Sequence, residues 1–275
     1  MTVKKNENSA LAEGLKKYEE IADFIKARFE WIKTDSEVRK FDGTIVSSIK
    51  DVEAPKNWSA SAINIVAQKY MRKTKVPVSL IKVRNKDDKN VPDWLLPSIA
   101  AEGSEETRET SILQTVMRLA GTWTYWGVKG GHIHPGDAEA HLISIAEDIL
   151  NQLAMPNSPQ WFNTGIHWAY GIKGSPKENW RATEVGGEAK LVENYYENPQ
   201  VHACFLNSVE DKISGEGGII DLIAREAIIF SGGSGSGANF SHVRSKYEEI
   251  SNGGMSSGLL SFLRVGDASA GAIKS

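Results

Sequence analysis

One cysteine stands in 275 residues, and it stands inside a strand-like apolar run, Val201-His202-Ala203-Cys204-Phe205-Leu206. A chain with a single cysteine closes no internal disulfide, so its fold has to rest on buried surface and hydrogen bonds. The means are there: 40% of the residues are hydrophobic and 24% charged, and the length suits one large domain or two ordinary ones. The net charge of -3 creates no strong field toward nucleic acid or a membrane, and neither is expected as a partner. A lone thiol fits a reducing compartment, so a cytoplasmic location is expected. Met1 to Asn8 leads into mixed charge without an apolar core, unlike a signal peptide. No apolar run approaches the length of a membrane span.

Periodicity then orders the chain. Leu11, Leu15, Tyr18, Ile21, Ile25, Phe29 and Ile32 recur at three- and four-residue spacing and predict an amphipathic helix over 10–32. Asp42-Gly43 between two strand-like runs predicts a hairpin. Ser59 is a fitting N-cap for a helix over 60–71. Residues 73–110, with Pro77, Pro92 and Pro97, read as loops and short pieces forming a surface insertion. A helix over 111–119 is expected to stop at Gly121, followed by an aromatic and Gly-rich connection to Gly136. Asp137 is placed to cap a helix over 138–153. Beyond Pro199, strand signals at 201–206 and 238–244 alternate with helix signals at 217–230 and from 259. Ile220, Ile223, Ala227 and Phe230 mark the apolar side of the 217–230 helix. That alternation belongs to an α/β barrel or a layered α/β sheet.

Several motifs carry two readings. A cysteine in an apolar strand is usually a small buried hydrophobe, though exposed thiolates do chemistry. Ser231 to Gly237 is rich enough in glycine to cradle phosphate through backbone N–H groups. It lacks the Gly-Lys-Ser/Thr ending of a P-loop, and a helix precedes it where a dinucleotide fingerprint needs a strand. A close-packing turn is the equal alternative. His132, His134 and His141 lack the spacing of a metal set, and no metal is expected. Ser158, ahead of Pro159 and Trp161-Phe162, suits either a phosphate contact or a turn. Asp211, before the 217–230 helix, suits a ribose hydroxyl or, by default, a helix cap.

Six ordered stretches together resemble class II ribonucleotide reductase, the adenosylcobalamin-dependent kind. They are Lys50-Asp51-Val52-Glu53-Ala54-Pro55-Lys56-Asn57-Trp58-Ser59 with Ile65 to Tyr70 after it; Asn157 to Gly165; His202 to Phe205; Ser208-Val209-Glu210-Asp211; Gly235 to Ser241; and Ser257 to Leu263. The resemblance runs from about Phe41 to Ser275, with 73–110 poorly covered. It implies an α/β fold in which a mostly helical N-terminal region, 1–156, leads into the first part of a ten-stranded α/β barrel, 157–275.

The resemblance also implies roles. Cys204 matches one of two reducing thiols. Ser158 matches a residue holding substrate phosphate, Ala203 and Cys204 line the ribose, and Phe240 and Ser241 meet the base through their backbone. Asp211 matches the carboxylate that meets a deoxynucleotide effector. Asn252, Gly253 and Gly254 fall, more loosely, in the loop that carries effector identity. The implied partners are a ribonucleotide substrate, the effector, a thiol reductant and a second copy in a homodimer. The implied cofactor, adenosylcobalamin, would be held mostly by residues outside this chain.

The departure from the family is the missing second sulfur. Thiol–disulfide exchange needs two, so this chain is expected to be inactive alone and to need the C-terminal half of a reductase. Its ending in small residues reads as a cut. Two rivals stay open: a nucleotide-binding module that kept only the effector site, and a structural α/β domain with Cys204 inert.

Overall fold

A computed structural model describes residues 2–176, 179–182, 186–251 and 253–273. The chain is mixed α/β and divides into two compact units. The first comprises 1–156, 160–175 and 193–199; the second comprises 157–159, 176–192 and 200–275.

The first unit opens with α1 (Thr2–Lys26). Tyr18, Ile21 and Ile25 supply its inward stripe, as their spacing requires. The helix ends earlier than periodicity suggests. The Trp31 ring N–H donates to the Lys26 carbonyl at 2.8 Å, and Trp31 and Ile32 join a strand instead. That strand, β1 (Trp31–Arg39), pairs antiparallel with β2 (Ile45–Pro55). The expected turn joins them: the Thr44 N–H donates to Asp42 Oδ1 at 2.9 Å, and Gly43 takes φ +85°. Ser59 caps α2 (Ala60–Ile65), accepting from the Ala62 N–H, and a π-helical turn, Val66–Tyr70, completes that segment.

Residues 73–110 are not a surface insertion. They form two short antiparallel pairs, β3 (Val76–Pro77) with β6 (Glu106–Thr107) and β4 (Leu80–Lys82) with β5 (Ser98–Ala100). Val91, Leu95 and Leu96 from this segment are buried in the main core. Burial of apolar side chains outweighs the polar, Pro-rich look of the stretch. Beside the helices of 1–156 lie these four strand pieces and the hairpin.

The largest correction concerns α3 (Ile112–Lys129), which runs straight through Gly121. A Cβ on Gly121 would lie 2.3 Å from the Trp168 ring, so this glycine admits an indole instead of ending a helix. The helix stops at Gly130. A short 3-10 turn over 135–137 then leads to α4 (Ala138–Leu150). Here Asp137 makes no side-chain cap; His134 does the turn's work by accepting from the Gly136 N–H at 3.1 Å.

Two short helices, α5 (Ser158–Asn163) and α6 (Ile166–Tyr170), flank Gly165. At φ +80°, with a notional Cβ 2.6 Å from the Arg118 carbonyl, position 165 admits only glycine. Below this turn lies a fully buried ion pair. Arg118 Nε donates to Glu109 Oε1 at 2.7 Å, and its other nitrogens donate to the Trp161 and Thr164 carbonyls. Tyr170 and Thr115 also donate to Glu109, at 2.7 and 2.9 Å. Burial alone would raise the Glu109 carboxyl; the Arg118 charge and these hydrogen bonds hold it below the ordinary value. Trp161 itself is buried and stacks on Tyr70 at 5.5 Å.

In the second unit, β7 (Trp180–Ala182) and β8 (Ala189–Leu191) form a small antiparallel pair. The organising element is a strand–helix–strand unit. It consists of β9 (Cys204–Ser208), α7 (Ile219–Ser231) and β10 (Gly235–Asn239), followed by α8 (Leu259–Ala272). The strands pair parallel, Cys204 opposite Gly235 and Ser208 opposite Asn239. Both strands begin three residues away from their predicted starts. The Gly-rich stretch is therefore no phosphate loop: Gly232 and Gly233 close α7, and Gly235 to Gly237 are strand. The buried stripe of α7 is Ile219 and Leu222, one residue off the expected face, and Ile220 is exposed.

Candidate functional site

Side chains alternate across a strand, and on β9 this separates two kinds of surface. Phe205 and Asn207 turn toward α7. Asn207 Nδ2 donates to Ser236 Oγ at 2.9 Å, and Ser236 Oγ donates to Glu226 Oε1 at 2.9 Å. This chain of polar contacts locks β9, β10 and α7 together. The other face carries Cys204, Leu206 and Ser208, all exposed. Cys204 is a free, exposed thiol, which removes the reading of it as a small buried hydrophobe.

Opposite Cys204 and Leu206 the neighbouring strand carries glycine, at 235 and 237. A Cβ on Gly235 would meet only the Ala203 carbonyl, at 3.6 Å, and one on Gly237 only Leu206 and the Phe205 carbonyl. These glycines leave a floor of bare backbone next to Sγ. Ala203 is held at the start of the ladder, its carbonyl accepting from the Gly235 N–H at 2.7 Å. Just before it, the His202 carbonyl accepts from Ser234 Oγ and Gln200 Nε2, both at 2.6 Å.

At the far end of the strand pair, Phe240 puts its ring against the second unit's core of Val209, Ile219, Leu222 and Val243. Its carbonyl accepts from the Val243 N–H at 3.0 Å. Ser241 is exposed; its N–H and hydroxyl both donate to Asn239 Oδ1, at 3.0 and 2.7 Å. Ser158 is half-buried at the first position of α5.

Asp211 is not a helix cap. The N-cap of α7 is Gly218, and the first-turn carboxylate that accepts from the Gly217 N–H, at 2.8 Å, is Asp221. Asp211 pairs instead with Arg244, whose Nε donates to Oδ2 at 2.5 Å and whose backbone N–H donates to Oδ1 at 3.2 Å. Partial burial pushes the Asp211 carboxyl up, and the Arg244 hydrogen bonds and charge outweigh it, leaving the group below the ordinary Asp value. The pair lines a cavity of about 310 Å³ with Lys212, Ile219, Ser256, Ser257 and Phe262. Two cationic side chains, one carboxylate, serine hydroxyls and an apolar wall suit an anionic ligand that also has a ring.

The rim of this cavity includes Ile250, Ser251 and Met255. They flank a turn in which the Gly253 N–H donates to the Ile250 carbonyl at 2.9 Å and Gly253 takes φ +82°. Asn252 lies outside the described residues. Sequence reasoning missed Arg244 because its ion-pair partner lies 33 positions away; the only hint was a cation at the end of a strand signal. Among the described residues no group of three or more His, Cys, Asp or Glu could hold a metal. His141 instead meets Thr124 Oγ1 at 2.9 Å, and His167 and Asn194 are 3.2 Å apart.

Two family models match the chain. Residues 32–152 match one described as class II vitamin B12-dependent ribonucleotide reductase, and residues 202–275 match a ribonucleotide reductase barrel domain. Among curated relatives, the vitamin B12-dependent ribonucleotide reductase of Agrobacterium fabrum is 46% identical over 258 residues, 90% of this chain and 20% of the relative. That of Bradyrhizobium diazoefficiens is 45% identical over 248 residues, 88% of this chain and 20% of the relative. That of Rhodopirellula baltica is 32% identical over 246 residues, 89% of this chain and 21% of the relative. The chain thus spans about a fifth of the length of these relatives.

Proposed function

Since the chain belongs to the class II, vitamin B12-dependent ribonucleotide reductase family, we propose that it forms the N-terminal part of an enzyme that reduces ribonucleoside di- or triphosphates to deoxyribonucleotides. Residues 1–156 are the N-terminal region in this reading, and 157–275 the first portion of a ten-stranded α/β barrel. The observation that carries the proposal is Cys204: a free, exposed thiol on a parallel strand pair, beside a glycine-only floor, inside the segment matching the family's barrel.

In this reading Cys204 is a reducing thiol. Replacing the ribose 2′-hydroxyl by hydrogen consumes two electrons and two protons, and the oxygen leaves as water. Two thiols supply both as they join in a disulfide. The chain holds one cysteine, so the second sulfur has to come from elsewhere, and the chain is inactive until it does. Ala203 and Cys204 face the ribose, Ser158 takes a phosphate oxygen, and Phe240 and Ser241 border the base. Adenosylcobalamin, when bound, supplies the radical that opens ribose chemistry. The glycines at 235 and 237 leave a sugar room beside the thiol; the residues that would hold the cofactor lie mostly outside this chain.

The cavity at Asp211 and Arg244 is assigned to the deoxynucleotide effector. Asp211 accepts from the deoxyribose hydroxyl, Arg244 and Lys212 face the phosphates, and the segment that holds Asn252 and Gly253 relays which base is bound. The expected partners are a thiol reductant, the remaining part of a reductase and a second copy of the chain. No described helix is long and apolar enough to cross a membrane, and the cytoplasm, where nucleotides and reductants meet, is the proposed location.

The test supplies the missing reductase region in trans or by covalent fusion, with adenosylcobalamin and dithiol. Turnover is expected only from the completed protein, and Cys204→Ser should abolish sustained turnover without lowering the melting temperature by more than a few degrees. Sustained turnover by the completed Cys204→Ser protein would rule out the redox role. Effector binding without any turnover after completion would favour a nucleotide-binding module.

A further inference from the structure

A second cavity lies wholly within the first unit, lined by none of the residues assigned above. It measures about 270 Å³ and is bounded by α1, β4, β5, α3 and α6. Its walls are mostly apolar or aromatic: Leu15, Tyr18, Ala22, Leu113, Met117 and Trp168. Besides Arg118, the chain places two buried polar groups there, Lys82 and Ser98, each 4% exposed. The two are direct cross-strand partners in the β4–β5 pair, so their side chains leave the same face close together.

The ammonium of Lys82 is only partly matched. Lys82 Nζ donates to the Leu96 carbonyl at 2.7 Å. Its remaining protons face the Tyr18 and Trp168 rings, 4.5 and 5.1 Å from the two centroids, and no carboxylate pairs with it among the described residues. Ser98 lines the same cavity beside it. The other buried cation, Arg118, is fully matched by Glu109, so the unmatched positive charge sits at Lys82. A buried cation without an anion is costly, and here it opens onto space. An apolar cavity of roughly half this volume admits benzene.

We propose that this cavity is a binding site for a small carboxylic acid with an apolar or aromatic body, its carboxylate resting on Lys82 Nζ and Ser98 Oγ and its body against Tyr18, Met117 and Trp168. The carboxylate accepts from both groups and supplies the counter-charge that Lys82 lacks. The aromatic walls already surround the ammonium, and they offer faces on which a ring can lie.

Burial pushes the Lys82 ammonium down to about 7, with Glu19 opposing the shift. The other titratable or charged groups around the cavity are Tyr18, Asp23 and Lys26 on α1, Glu53 on β2, Arg118 on α3 and Tyr170 on α6. Lys26 is paired with Glu53 at 2.7 Å, and burial raises both tyrosines beyond neutral pH. Lys82 is thus the group that gains charge as pH falls toward neutrality, and carboxylate binding draws a proton with it.

The probe is benzoate, with benzyl alcohol as its uncharged counterpart, titrated calorimetrically into the full chain. Benzoate should bind saturably, at least tenfold more tightly than benzyl alcohol and at least tenfold more tightly at pH 6.5 than at pH 9. Lys82→Met should cost tenfold or more, and Ser98→Ala a few-fold. Ala22→Met, which fills the space from α1, should abolish binding while the melting curve stays cooperative. That variant decides the location even if Lys82→Met does not fold. No saturable benzoate binding, equal binding of the alcohol, equal affinity at the two pH values or undiminished binding by Ala22→Met would each overturn the proposal.

Discussion

Lys82 shows how one residue sets a measurable pH dependence. Its ordinary value of 10.5 falls to about 7 on burial. Between those values the unfolded chain holds a proton that the folded chain has released, so stability rises with pH across about 7 to 10.5 and is flat below. The upper limit of the rise is about 5 kcal/mol. Lys82→Met removes the proton difference. Thermal melts of both proteins from pH 6 to 10.5 should show the parent gaining stability on the variant as pH rises; parallel curves would mean that Lys82 keeps its ordinary affinity for protons. Asp211 makes a second residue-scale case. It is tied to Arg244 and not to a helix end, so Asp211→Asn, which keeps the shape and loses the charge, should weaken deoxynucleoside triphosphate binding at least tenfold. Equilibrium dialysis with labelled effector on the completed protein measures this. Unchanged affinity would leave Asp211 as a partner for Arg244 only.

At the scale of elements, α3 illustrates two opposing effects of one substitution. Replacing a mid-helix glycine by alanine ordinarily helps a helix by roughly 1 kcal/mol. At Gly121 the added methyl meets the Trp168 ring at 2.3 Å. That ring has little freedom to retreat, since its N–H donates to the Leu95 carbonyl at 3.2 Å and Tyr18 packs on it edge-on at 5.8 Å. Overpacking costs about 1–3 kcal/mol, so Gly121→Ala should destabilise the chain. Chemical denaturation would show a lower midpoint; a raised one would mean that the helix gain wins. The same element shows why sequence reading misplaced a boundary. Gly121 sits where a C-terminal stop is expected, but its partner lies 47 positions further on, and no local pattern reports a packing contact.

At the scale of the whole molecule, the two units differ in how well they cover themselves. The first has a broad core running from Ile21 to Trp168 and a buried Glu109–Arg118 pair. The second has a small core of Val209, Ile219, Leu222 and Val243. Around that small core Leu206 is 93% and Leu260 71% exposed, and β9 and β10 pair only with each other among the described residues. Open strand edges and bare leucines invite association. The isolated chain should therefore bind a hydrophobic dye and exchange its β9 and β10 amides quickly, while α3 and α4 stay protected. Adding the remaining reductase region should suppress dye binding and slow exchange in β9 and β10 together. Strong protection of both strands in the isolated chain would argue that the second unit is self-sufficient.

What the amino-acid order determined by itself was the local and the ordered: the Asp42-Gly43 turn, the Ser59 cap, the stripe of α1, and a run of six motifs in family order. These depend on neighbours a few positions apart, whose chemistry is readable along the chain. What only tertiary structure decided was everything set by distant partners. It exposed Cys204, paired Asp211 with Arg244, divided the glycine-rich stretch between a helix end and a strand, and drew parts of 73–110 into the core. It also aligned Lys82 with Ser98 across β4 and β5 over a cavity. Each follows from burial and hydrogen-bond satisfaction, quantities that exist only once segments far apart in sequence share the same space.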